Sequence, residues 1–164
     1  MLERCYYEIV QSKQPTYKGC SVCDEWHNFQ NFAKWFDENY YQCGNEKTHL
    51  DKDILFKKNK IYSPDTCIFV PQKINLLFLK NGKNRGIYPI GVYFEKSRNK
   101  YNAHLCATGK TIGRYNAPEE AFQAYKQTKE NYIKKVADEY KSKYPQFPQK
   151  LYEAMYRYEV EIDD

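Results

Sequence analysis

Residues 100–115 read Lys100-Tyr101-Asn102-Ala103-His104-Leu105-Cys106-Ala107-Thr108-Gly109-Lys110-Thr111-Ile112-Gly113-Arg114-Tyr115, and their pattern indicates how the second half of the chain folds. It contains two β segments, Tyr101 to Ala107 and Lys110 to Tyr115, joined by a turn at Thr108-Gly109. A third segment, Ile90 to Glu95, precedes them across the turn Ser97-Arg98-Asn99. The sequence therefore predicts a three-stranded antiparallel meander.

A long amphipathic helix follows the predicted sheet. Asn116 can cap this helix, and Pro118-Glu119-Glu120 opens it. Apolar side chains repeat along it at helical spacing, at Ala121, Phe122, Tyr125, Tyr132, Ile133, Val136 and Tyr140. We therefore expect the helix to cover one face of the sheet. Pro145 and Pro148 end the pattern, before a short helix at Leu151 to Tyr158 and an acidic tail.

The first half of the chain predicts one aromatic helix and a strand, loop, strand, helix order. Aromatic residues recur every three or four positions at Trp26, Phe29, Phe32, Trp35 and Phe36, the spacing of one buried helix face. This helix is expected over about residues 25–41, with Asp24 as its cap. Leu50 to Phe56 and Thr66 to Val70 predict two short strands, and Pro71 favours the start of the next helix.

These elements predict an α+β protein built from two very small modules, which a length of 164 residues allows. The first module spans residues 1–80 and joins the N-terminal helix to the strand, loop, strand, helix segment. The glycine- and charge-rich residues 81–86 form the expected linker. The sheet and long helix occupy residues 87–144, and residues 145–164 form the last helix and the tail.

The charge of the chain is concentrated in its middle. The net charge is +5, but Lys57 to Arg114 contains twelve basic residues against Asp65 and Glu95 alone. Nucleic acid is the polyanion that such a segment most easily binds, because each neutralised phosphate releases a counterion. A solvated, lysine-rich surface is the alternative. No apolar run approaches the ~18 residues of a membrane span and no secretion signal is evident, so we expect a cytoplasmic protein of a bacterial host without a membrane partner.

The segments His49 to Leu55 and Cys67 to Asn75, with the loop around Asn59, resemble the HNH, or ββα-metal, nuclease motif. The resemblance covers about residues 46–80. It implies one divalent metal, Mg²⁺ or Mn²⁺, bound by Asp51 and Asn75, and a loop braced by Asn59. A hard cation of this kind prefers oxygen ligands and keeps several waters, so it needs few protein ligands.

The general base departs from the HNH pattern. Lys52 stands beside Asp51, where the family usually has its histidine, and a lysine acts as a base only when its pKa is strongly lowered. His49 is chemically the better base, but on an extended strand it shares a face with Asp51 rather than with Lys52. The candidate catalytic residues are therefore His49, Asp51, Lys52 and Asn75.

Five separated segments resemble the AP2 DNA-binding domain over about residues 86–130: Gly91 to Phe94, Lys100 to Ala103, Gly109-Lys110, Gly113 to Tyr115 and Pro118 to Tyr125. The resemblance implies a sheet that enters the major groove of double-stranded DNA, with the helix packed behind it. Arginine pairs bidentately with guanine and lysine contacts phosphate. The candidate DNA-binding residues are Arg85, Tyr93, Lys96, Arg98, Lys100, Tyr101, Lys110 and Arg114. Strand alternation leaves open whether the tyrosines face DNA or pack against the helix.

The six cysteines are expected to remain mostly thiols in a chain without a secretion signal. Cys20 and Cys23 have the spacing of a zinc pair, but no second pair completes a four-ligand site. Cys5, Cys43 and Cys67 are dispersed singly. We therefore expect buried thiols rather than zinc, and zinc assembled from the scattered cysteines is the alternative.

The two resemblances and the basic segment lead to the hypothesis of a phage-type, metal-dependent DNA endonuclease that nicks or cleaves duplex DNA. Lys52 in the base position and 17 tyrosines suited to interfaces favour an alternative. In that alternative the chain retains the fold without catalysis and inhibits a host nuclease, as an anti-restriction or anti-CRISPR protein. A further alternative is a DNA-binding regulator that uses the AP2-like module alone.

Overall fold

A computed structural model describes residues 1–79 and 87–162 of the chain. The α-helices are α1 (Leu2–Tyr6), α2 (Glu8–Lys13), α3 (Phe29–Asn39), α4 (Gln72–Leu77), α5 (Pro118–Lys143) and α6 (Gln149–Arg157). The strands are β1 (Ser21–Val22), β2 (Thr48–Asp51), β3 (Ile61–Tyr62), β4 (Ile68–Pro71), β5 (Val92–Glu95), β6 (Lys100–Leu105) and β7 (Lys110–Tyr115). This mixture confirms the α+β class. The predicted linker, residues 81–86, lies outside the described residues.

The chain divides into two compact units. The first consists of residues 1–75 and 144–154, and the second of residues 76–143 and 155–164. Each unit has its own cluster of buried apolar side chains.

Two small sheets lie in the first unit. β1 pairs in parallel with β3, and β2 pairs antiparallel with β4. All four residues of β4 are buried, as expected for a short continuous apolar run, and α4 begins directly after Pro71. β2 ends at Asp51, earlier than the predicted end at Phe56. The reason is local: Asp51 Oδ1 accepts hydrogen bonds from the backbone N–H groups of Asp53 and Ile54, and the resulting turn ends the strand.

The aromatic helix is shorter than predicted and has a different cap. Asp24–His27 forms a 3₁₀ turn, and α3 starts only after Asn28, whose Oδ1 accepts from Gln30 N at 2.9 Å. The predicted cap at Asp24 is therefore wrong. Because the turn breaks the helical phase, the predicted stripe is not uniformly buried: Trp26 is buried, whereas Phe29 is 70% exposed.

The core of the first unit is built around Trp26. Its ring centroid lies 5.1 Å from that of Phe32 and 4.7 Å from that of Trp35, distances at which aromatic pairs stabilise each other. Cys5 and Cys20 are buried in the same cluster. Thiols here act as small apolar groups.

The second unit contains the antiparallel meander β5-β6-β7, which confirms the predicted three-stranded sheet. α5 packs against all three strands, as predicted. The shared core consists of Val92, Ala103, Leu105, Ala121, Phe122, Tyr125 and Val160. A β-bulge lies between Ala103 and His104, where the register of β7 shifts by one residue.

The ends of α5 carry the charges that its dipole favours. Pro118 is its first residue, Glu119 and Glu120 lie in its first turn, and Lys141 and Lys143 lie in its last turn. Asn116, the predicted cap, accepts a hydrogen bond from Lys100 Nζ. Among residues 1–79 and 87–162, no helix combines the length and apolarity needed to cross a membrane.

Candidate nucleic-acid interface

The register of the three-stranded sheet separates its two faces. Phe94, Tyr101 and Tyr115 lie opposite one another across the strands, on the face that packs against α5. Tyr93 pairs with Asn102, and Asn102 pairs with Arg114, so these three side chains form a row on the other face. Adjacent strand residues alternate in direction, which places Glu95 and Lys100 on the same face as this row. We call this face, together with its β5-β6 turn, the outer face.

Five of the candidate DNA-binding residues lie on the outer face or in its turn: Tyr93, Lys96, Arg98, Lys100 and Arg114. Lys96 and Arg98 occupy the β5-β6 turn, where Asn99 adopts a positive φ of 51°. Tyr93 is 48% exposed, and the side chain of Arg114 is 47% exposed. The structure thus brings together an exposed aromatic ring and four cations.

Tyr101 and Lys110 lie on the other side of the sheet. Tyr101 contacts the rings of Tyr88 and Phe94 and packs against the core. Lys110 pairs with the buried Leu105 and lines a groove beside α5. These two candidates are therefore separated from the outer face, and Arg85 lies outside the described residues.

Glu95 is the acidic centre of the outer face. Its Oε2 accepts hydrogen bonds from Asn102 Nδ2 at 2.8 Å and from Arg114 Nε at 3.0 Å. Its Oε1 lies 3.3 Å from Arg98 Nη1 and accepts a weaker bond from Ser97 Oγ at 3.4 Å. The hydrogen bond from Asn102, followed by that from Arg114, lowers the pKa of the Glu95 carboxyl, so it is ionised at neutral pH.

Asn102 and Glu95 were not among the candidate site residues. Asn102 is 0% exposed although it belongs to the outer face. Its Oδ1 is buried without a hydrogen-bond partner in the described part of the chain. Strand alternation is the signal that places Asn102 on this face, since it lies between the core residues Tyr101 and Ala103.

The ββα segment of the first unit contains the candidate catalytic residues. Asp51 is the last residue of β2, and its Oδ1 is occupied by two backbone N–H groups, from Asp53 at 2.9 Å and from Ile54 at 2.7 Å. Burial and, after it, the charge of Asp53 raise the pKa of Asp51 to about 6. His49 is exposed on the same strand.

Lys52 is held by contacts with residues of its own loop. Its ammonium group is buried, lies 3.2 Å from Asp53 Oδ2 and donates to the backbone oxygen of Asn59 at 3.1 Å. It also lies 5.9 Å from the ring centroid of Tyr62. In return, the Asn59 side chain donates to the backbone oxygens of Lys52 and Ile61. Asn59 therefore braces the loop, as the resemblance implied, and Lys52 helps to hold it.

Asn75 lies on α4, partly buried. In the register of β2 with β4, Thr48 pairs with Pro71, just before α4, whereas Asp51 pairs with Ile68. Asp51 is thus three residues, or ~10 Å, along the strand from the end where α4 begins. An aspartate and an amide oxygen fit the ligand preference of Mg²⁺ or Mn²⁺, which complete their shells with water. Within the described ranges, no three His, Cys, Asp or Glu side chains form a metal-binding group.

Comparison of the chain with protein-family models, with curated protein sequences and with solved structures found no match.

Proposed function

We propose that the chain binds double-stranded DNA through the outer face of the β5-β6-β7 sheet. One observation carries the proposal: four cations, Lys96, Arg98, Lys100 and Arg114, share this face and its turn with a single carboxylate, Glu95. That carboxylate is already paired with both arginines. The face therefore retains an excess of positive charge, which suits a row of phosphates.

The shape of the unit supports the same proposal. α5 covers one face of the sheet and leaves the outer face as a β surface of the kind that enters the major groove, which is ~12 Å wide. The half-exposed ring of Tyr93 adds an apolar contact beside the cations. This is the binding mode that the resemblance to the AP2 domain implies.

The first prediction concerns two lysines of the outer face. Lys96→Gln with Lys100→Gln should weaken binding to a fluorescently labelled duplex by ~10- to 100-fold at about 0.1 M salt. The slope of log Kd against log salt concentration should fall by about 2, because each lysine neutralises about one phosphate. Fluorescence anisotropy over a range of salt concentrations measures both quantities.

A matched control separates local contacts from total charge. Lys135→Gln with Lys143→Gln removes the same two charges from α5, which packs on the opposite face of the sheet. This variant should keep nearly the wild-type slope. Equal losses in the two variants, or no salt-sensitive binding by the wild-type chain, would contradict the outer-face proposal.

A second candidate function, metal-dependent cleavage of the bound DNA, is supported by the antiparallel pair β2 and β4 followed directly by α4. This is the element order of the ββα-metal motif, with Asp51 closing its first strand. We propose Asp51 and Asn75 as the residues that would hold Mg²⁺ or Mn²⁺. A bound cation of this kind stabilises the scissile phosphate and the leaving oxygen.

Plasmid nicking tests this second candidate. With Mg²⁺ or Mn²⁺ the wild-type chain should convert supercoiled plasmid into open circles. Asp51→Ala and Asn75→Ala should each slow nicking by at least ~10- to 100-fold. Loss of a residue that only supports a metal ligand already costs this much, and loss of a ligand itself should cost no less. Asp65→Ala, at an exposed position of the same unit, is the control. Failure of the wild type with both metals, or full activity of both site variants, would reject cleavage and leave DNA binding intact.

A further inference from the structure

Glu95 controls how the arginines of the outer face are presented. Its two carboxylate oxygens engage Arg114 through Nε and Arg98 through Nη1. A guanidinium group has five N–H donors in a rigid plane. With Nε bound to Glu95, the four N–H groups on the two terminal nitrogens of Arg114 have no partner among residues 1–79 and 87–162.

Asn102 fixes the carboxylate from the sheet side. Its fully buried side chain donates through Nδ2 to the same Glu95 oxygen that accepts from Arg114. Asn102 belongs to the central strand β6, which pairs with β5 on one side and with β7 on the other. Arg114 is thus oriented through a chain of contacts that begins in the interior of the sheet.

An arginine held through Nε offers its terminal edge as a two-donor fork. Guanine presents two acceptors, O6 and N7, side by side in the major groove, and they match this fork. A phosphate also accepts an arginine fork, but phosphate contacts contain no sequence information. The contact with Glu95 favours the base over the phosphate, because reading a base requires the two donors in a defined direction. A phosphate can be reached by an arginine that no other residue orients.

We propose that Glu95 is a positioning residue that directs the terminal edge of Arg114 to a guanine, so that sequence preference depends on a carboxylate that contacts no base. This inference rests on the proposed binding of duplex DNA by the outer face. It predicts two opposite changes in Glu95→Gln. Removal of a negative charge should strengthen binding to unrelated duplexes, while the preference for guanine should fall.

The experiment starts from duplexes selected from a random pool by the full wild-type chain. Dissociation constants are then measured for the selected site and for sites in which each guanine is replaced by another base or by 7-deazaguanine, which lacks the N7 acceptor. The wild type should discriminate at one guanine by roughly 5- to 100-fold. Glu95→Gln should discriminate at that guanine by less than about threefold, because most of the bidentate contact would be lost.

Two further variants separate positioning from charge and from folding. Glu139→Gln also removes one negative charge, but at an exposed position on α5, and it should keep the preference for guanine. Arg114→Lys keeps the positive charge of an exposed side chain but lacks the planar fork. This variant should retain the wild-type affinity for unrelated duplexes and lose the preference for guanine. A general loss of structure would lower the affinity for all duplexes.

The outcomes distinguish this inference from the function on which it rests. If the wild-type chain binds no duplex, the DNA-binding proposal fails, and the inference fails with it. If the wild type binds duplexes without a base preference, or if Glu95→Gln keeps the preference for guanine, DNA binding stands and the positioning role of Glu95 is overturned.

Discussion

Gly91→Ala is expected to destabilise the second unit by ~3–5 kcal/mol, from a left-handed backbone and an overpacked core together. Gly91 has a φ of +74°, and its backbone oxygen accepts from His104 N, which holds it against β6. A methyl group at this position would lie 2.2 Å from Cδ2 of Tyr125. Tyr125 belongs to α5, and its side chain is buried in the core between the helix and the sheet, so a shift of its ring would disturb this packing.

Gly109→Ala is the matched control. Gly109 also has a left-handed φ, of +66°, but nothing lies within 4 Å of a methyl group added there. It should therefore cost only the backbone term, ~1–2 kcal/mol. Urea unfolding followed by far-UV circular dichroism, to which the 26-residue α5 contributes strongly, measures both variants. Equal destabilisation by the two alanines would contradict the close approach of Gly91 to Tyr125.

The meander was predictable because its signals are local. Turn residues separate three short β-prone segments, and the helical period of α5 begins directly after them, so strand and helix types follow from neighbouring residues. Gly91 lies within the predicted strand Ile90 to Glu95, and Gly109 lies in the predicted turn Thr108-Gly109. Sequence alone does not show that only Gly91 lies against a buried ring, because Tyr125 is 34 residues away along the chain.

The position of Lys110 on the side of α5 was not predictable. Alternation along a regular strand, in register with Ala103 opposite Gly113, would pair Lys110 with Cys106 on the outer face. The bulge between Ala103 and His104 shifts the register by one residue, so Lys110 instead pairs with Leu105 on the side of α5. A one-residue shift reverses the face of every following side chain. Nothing in the local residue types marks this bulge.

In the first unit, the features that differ from the predictions are of two kinds: strands of two residues that pair across a long sequence separation, and a turn that depends on one side chain. β1 and β3 each contain two residues and pair in parallel across about forty positions, which no local pattern indicates. The turn at Asp51 depends on a single side-chain oxygen that bonds to the next residues. The HNH-like spacing identified Asp51 as a candidate ligand, but its burial and its bonds to the backbone needed the fold.

Asp51 should make the stability of the first unit depend on pH. Burial, followed by the charge of Asp53, raises the pKa of Asp51 from its ordinary value of 3.8 to about 6. Between these values the folded state binds the proton more tightly, so the free energy of unfolding should decrease as the pH rises from 4 to 6 and stay level above that. The loss amounts to as much as ~3 kcal/mol, since one pKa unit corresponds to ~1.4 kcal/mol.

Asp51→Asn should remove this dependence. The amide oxygen can still accept from the N–H groups of Asp53 and Ile54, but the side chain stays neutral. The variant should therefore be more stable than the wild type by up to ~3 kcal/mol at pH 8 and equally stable near pH 4. Trp26 and Trp35 both belong to the first unit, so urea unfolding followed by tryptophan fluorescence, with EDTA present, reports on this unit.

Asp65→Asn, at an exposed site, is the control and should change the free energy of unfolding by less than ~0.5 kcal/mol at either pH. The prediction would be contradicted if the free energy of unfolding of the wild type rose between pH 4 and 7 relative to that of Asp51→Asn. Such a rise would mean that the fold stabilises the ionised form of Asp51.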